Sequence, residues 1–89
     1  MPPELLDKLS QDEINLQAIV QAEALESESG ETVYWELEDH AGTSMAETPH
    51  RMGAFTCRVV VESLKLEEGA TESRATACRT NETGWTLSF

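Results

Sequence analysis

The hydrophobic period of this chain changes at one glycine, and that change constrains the fold more than any other feature. Before Gly30 the apolar residues recur at helical spacing. Ile14, Ala18, Ala22 and Leu25 fall on one side of a helix, with Leu9, Leu16 and Val20 roughly opposite. After Gly30 the spacing becomes two. Val33, Trp35 and Leu37 alternate with Tyr34, Glu36 and Glu38, the signature of a half-buried strand. A helix written first and strands written afterwards predict an α+β fold, with an N-terminal helix packed on an antiparallel sheet.

Local signals sharpen both halves. Ser10-Gln11-Asp12-Glu13 has capping-box spacing, in which the Ser10 hydroxyl accepts from the Glu13 N–H and the Glu13 carboxylate accepts from the Ser10 N–H. The helix is therefore expected over about 11–28, with Gly30 as its stop. Leu5 and Leu6 fit a preceding helical turn that folds back. Two opposed apolar stripes exceed what one sheet contact needs. Either the helix is sandwiched in its own core, or its second stripe serves a homodimer through the helix.

The sheet is expected over about 31–89, with four or five strands. Asp39-His40-Ala41-Gly42 reads as a turn. Thr43 to Pro49 reads as a polar edge strand with Met45 inward, ending at or before the proline, which lacks a ladder donor. Phe55, Cys57, Val59 and Val61 share one face of the next strand, and Arg58, Val60 and Glu62 the other. Thr71 to Thr80 forms a longer polar strand, and Asn81 to Gly84 turns into alternating Trp85, Leu87 and Phe89. The covered face is expected to hold Val33, Trp35, Phe55, Val59, Val61, Trp85 and Leu87. All of this fits one domain over 1–89.

A single core is marginal at 89 residues, so a staple or a partner has work to do. The two cysteines, each followed by an arginine, lie in alternating segments. If their strands are neighbours, Cys57 and Cys78 can stand opposite each other within bridging reach. A loop of about twenty residues closed this way is worth roughly 3 kcal/mol. Two buried thiols are the alternative. A zinc site needs two more ligands, and His40 and His50 lack the spacing; a redox C-x-x-C motif is absent. The favoured reading is a disulfide.

Seventeen acidic residues against six basic ones give a net charge of −11, which repels the phosphate backbone, so no nucleic-acid partner is expected. Arg58 and Arg79 are expected beside each other on the outer face, near Glu62, Glu72 and Glu82. Cross-strand pairing with those carboxylates is the plain reading. The functional one is an interaction face of Tyr34, Arg58 and Arg79 for a protein partner. Glu36, Glu38 and His40 alternate on one strand and read as its wet side, since none offers the desolvated partner that acid–base chemistry needs. No catalytic, cofactor-binding or metal residue is assigned, and the domain is read as not an enzyme. Nor does any window approach the apolar length of a membrane span, and Met1-Pro2-Pro3-Glu4 lacks a secretory pattern, so no direct membrane insertion by this chain is expected.

Gly30-x4-Trp35, Gly42, Pro49, Cys57-Arg58, Ala77-Cys78-Arg79 and Trp85-Thr86-Leu87, taken in order, resemble the C-terminal domain of the rickettsial 17-kDa surface antigen family of outer-membrane lipoproteins. The likeness runs from about Ala24 to Phe89. It departs at the last turn, where Glu82-Thr83-Gly84 replaces an Asp-Gly pair, and at Thr80 and Arg74. The chain as given shows neither the lipoprotein signal nor the glycine-rich segment common in that family. The resemblance implies a non-enzymatic domain of the bacterial cell envelope or periplasm, structural or adhesive in role, in an oxidising location that agrees with a disulfide. The alternatives are a disulfide-stapled binding or inhibitory module, and a cytoplasmic interaction domain.

Overall fold

The computed structural model describes residues 9–88, which form one helix packed on a six-stranded antiparallel sheet. Helix α1 is Gln11–Leu25. The strands are β1 Thr32–Leu37, β2 His40–Ala46, β3 His50–Met52, β4 Phe55–Leu66, β5 Gly69–Arg79 and β6 Thr86–Ser88. The sheet order is β1-β2-β4-β5-β6, with β3 continuing the β2 edge along the start of β4. The expected α+β architecture is present, with the short β3 as an added strand. Leu5, Leu6 and Phe89 lie outside the described residues.

Tight turns set the order of the strands. Leu37 pairs with His40, Met52 with Phe55 and Leu66 with Gly69, so three hairpins close over two residues each. The first of these turns is Glu38-Asp39, with Glu38 at φ 56°, earlier than the sequence reading placed it. β2 therefore begins at His40. Between β2 and β3 the chain gains one residue: Ala46 pairs with Val60, yet His50 pairs with Cys57. Pro49 occupies this break, where no ladder donor is required.

The capping box forms as expected. The Glu13 N–H donates to Ser10 Oγ at 3.2 Å, and the Ser10 N–H donates to Glu13 Oε1 at 2.8 Å. The helix stops at Leu25, short of the expected 28, and the chain turns so that the Gly30 N–H reaches the Ala46 carbonyl.

The main correction concerns which face of β4 the helix covers. Arg58, Val60, Glu62, Leu64 and Leu66 lie under it, while Phe55, Val59 and Val61, expected inward, lie on the opposite face. Met45, paired with Val61, is likewise on the open face. Val33, Trp35, Trp85 and Leu87 do face the helix side. One apolar cluster gathers Leu9, Val20, Trp35, Leu64 and Leu66; a second gathers Leu25, Ala46, Val60 and Ala77. Leu9 and Val20, offered above as a dimer stripe, are buried in the protein's own core, and Leu16 packs against them. Ala18, Ala22 and Ile19 are instead the exposed apolar residues of the helix.

Candidate functional site

The helix is bound to the sheet by a polar row as well as by apolar packing. Glu13, Gln17 and Gln21, each one turn apart, all point at the sheet. Glu13 meets His40 Nδ1; Gln17 accepts from the Trp35 indole and donates to the Thr43 carbonyl; Gln21 donates to Glu62. Burial pushes the Glu13 carboxyl up, but hydrogen bonds from the Ser10 backbone and hydroxyl, together with His40, outweigh it. The net position is below the ordinary value of 4.5. Arg58 completes the row. It is 4% exposed and donates to the carbonyls of Leu25, Ser27, Glu47 and Ala46. Its positive charge stands at the helix C-terminus, where the macrodipole and unpaired carbonyls favour a cation.

Arg58 is therefore a buried fastener and not part of an outer interaction face. Arg79 shares its side of the sheet but lies past the end of the helix, exposed, with its guanidinium 5.2 Å from the centroid of the Trp85 ring. Tyr34 is on the opposite side, paired with Thr43. The three residues do not share a face. Glu62, expected outside, is buried beneath Gln21. Glu36, Glu38 and His40 are separated by the β1–β2 turn, and His40 meets Glu13 instead. A cleft beside that pair is lined by Ser10, Asp12, Glu38, Asp39 and Glu67 among others. Among the described residues, no cluster of three or more His, Cys, Asp or Glu is placed to hold a metal. No described helix is long and apolar enough to cross a membrane.

The cysteines are bonded. Cys57 pairs with Cys78 across β4 and β5, closing a separation of 21 residues. The bridge lies on the face away from the helix, with Val59 and Val61 following along β4 and Met45 beside Val61. At the other end of this band Met52 and Phe55 are cross-strand partners, 56% and 48% exposed. A shallow depression lined by Phe55, Cys78, Thr83, Thr86 and Leu87 adjoins them. Tyr34, 73% exposed, stands on the same face two strands from β4. Alternation had already placed Phe55, Cys57, Val59 and Val61 on one face. What it could not supply was which face the helix would take.

Fold and surface together define a small, compact domain with a structural disulfide and one sheet face left free of the helix. No protein-family model, curated protein or solved structure matches the chain.

Proposed function

We propose that this domain is a disulfide-stapled protein-binding module that acts by contact through the open sheet face and performs no reaction itself. The observation that carries this reading is the exposed Met52–Phe55 pair at the end of the band of Met45, Val61, Val59 and the disulfide. Antiparallel sheets commonly leave one face wet. Large apolar side chains gathered on that face favour a contact surface over a merely solvated one. The partner that fits is a protein surface with an apolar cluster and lysine or arginine at its margin, because the domain carries a net charge of −11.

The disulfide supports an oxidising setting, and the resemblance to the surface-antigen family supports the cell envelope or periplasm, with an adhesive or structural role. Affinity capture from the source cells tests the contact surface with two variants. The wild-type domain and Ile19→Glu should retain the same partner at low ionic strength, and added salt should weaken the capture. The Met52→Glu/Phe55→Glu variant should lose it. Capture that survives the double substitution, or that fails with Ile19→Glu, would move the contact off the open face and overturn the reading.

A further inference from the structure

Arg51, Thr56 and Arg79 are successive cross-strand partners on β3, β4 and β5, so all three side chains leave the same side of the sheet. The helix has ended before this row, and the side chains open into a notch of about 110 Å³ that also includes Ala54, Thr80 and Asn81. We propose that this notch is a binding site for a phosphate-like tetrahedral oxyanion. The site lies on the other side of the sheet from the apolar band and does not depend on the protein-binding reading.

Charge is the first support. Acidic residues outnumber basic ones seventeen to six, yet among the described residues neither Arg51 nor Arg79 has a carboxylate partner. Arg74 is held by Glu47 and Arg58 by backbone carbonyls. Two of the few cations thus converge on one polar notch with no described carboxylate at ion-pair distance.

Geometry is the second support. Neighbouring strands stand about 4.8 Å apart, so the backbones of Arg51 and Arg79 are roughly 10 Å apart with Thr56 between them. An oxyanion accepting a charge-assisted bond of about 2.8 Å from each side fits between guanidiniums that lean inward. Arg79 is also prepared for the task. The Trp85 ring holds its guanidinium, and the Trp85 indole N–H is itself tied to Glu26 at 2.9 Å. A contact with a ring face takes up no N–H of the guanidinium, so the donor fork of Arg79 stays available.

Two cations and a hydroxyl supply donors from three directions, which suits a tetrahedral dianion better than a planar carboxylate that one arginine can satisfy. The acidic body does not forbid this. The turn residues Glu38, Asp39, Glu67 and Glu68 gather at the opposite end of a molecule 41 Å long, several screening lengths away at physiological salt. Long polyanions would still meet the acidic flanks. The ligand is therefore a single phosphoryl group, free or carried on a short segment.

Amide chemical shifts followed during titration with inorganic phosphate test the site directly, with O-phosphoserine and acetate as separate arms. The expected result is saturable shifts confined to the region around Arg51, Thr56, Arg79 and Asn81. Arg51→Gln and Arg79→Gln should each weaken binding roughly tenfold, the loss of one charge-assisted bond. Arg74→Gln removes the same charge elsewhere and should leave the affinity unchanged. Tighter binding of O-phosphoserine than of phosphate would assign a phosphorylated segment as the source, and the reverse would assign the free ion. Equal binding of acetate, shifts spread over the surface, no saturation, or an equal loss with Arg74→Gln would each overturn the proposal. Retention of the wild-type spectrum outside the notch certifies that each variant is folded.

Discussion

Arg58 is a charged residue buried at the helix C-terminal end of the covered face, and its bonds explain why it can be there. A guanidinium without compensation in a core would be expensive, but here four hydrogen bonds run to backbone carbonyls, two of them at or just past the helix C-terminus. Arg58→Ala should destabilise the domain by about 3 kcal/mol, read as a lower urea midpoint, because those carbonyls are left buried without donors. Arg58→Lys should recover only part of the loss, since an ammonium cannot reproduce the planar fork. Gly42 is the second residue on which the seam depends. A Cβ there would overlap the Trp35 ring and the Gln17 side-chain oxygen, both held together by their own hydrogen bond. Gly42→Ala should therefore cost about 1–3 kcal/mol through overpacking, measured by the same unfolding curve.

At the scale of elements, the helix N-terminus is a place where folding and protonation are linked. Ser10, Glu13 and His40 tie α1 to the start of β2, and the Glu13 carboxyl sits below its ordinary value in the fold. A carboxyl with a lowered folded pKa contributes stability that is fully present above its unfolded value. That contribution is lost as the pH falls through the folded one. Stability should accordingly decline below about pH 4.5, and Glu13→Gln should flatten that part of the profile while lowering stability near neutrality. Thermal unfolding of both proteins across the acid range checks this. The capping box was legible in the sequence because it is local: four consecutive residues carry it. The rest of the polar row was not. Nothing in the spacing of Glu13, Gln17 and Gln21 marks them as an inner row, and only their tertiary partners on β1, β2 and β4 make them one. The same cause hid the orientation of β4. Its odd positions begin Phe55, Cys57, Val59, Val61 and its even positions end Leu64, Leu66, so both faces are apolar over part of the strand. Burial of Arg58 and Glu62 against the helix decides between them.

For the whole molecule, the consequence of that choice is that the apolar odd face of β4 stays free of the helix, with Met45 and the exposed Met52–Phe55 pair flanking a disulfide whose Cys57 is itself buried. A staple worth roughly 3 kcal/mol stiffens the two longest strands beneath that surface, a substantial share of the total for a domain of this size. The sequence alternation carried the disulfide and the contents of the face; the placement of the helix turned that face into a candidate contact surface. Along the 41 Å axis the Glu38-Asp39 and Glu67-Glu68 turns lie at one end and Arg51 and Arg79 at the other. The central claim is that the domain meets a protein partner through the open face. Its most direct test is a photo-crosslinking residue placed at Phe55, and separately at Ile19 on the exposed side of the helix, in the source cells. The account predicts one discrete adduct with a second protein from position 55 and none from position 19. An adduct from position 19, none from position 55, or an adduct with the mass of two copies of this chain would contradict it.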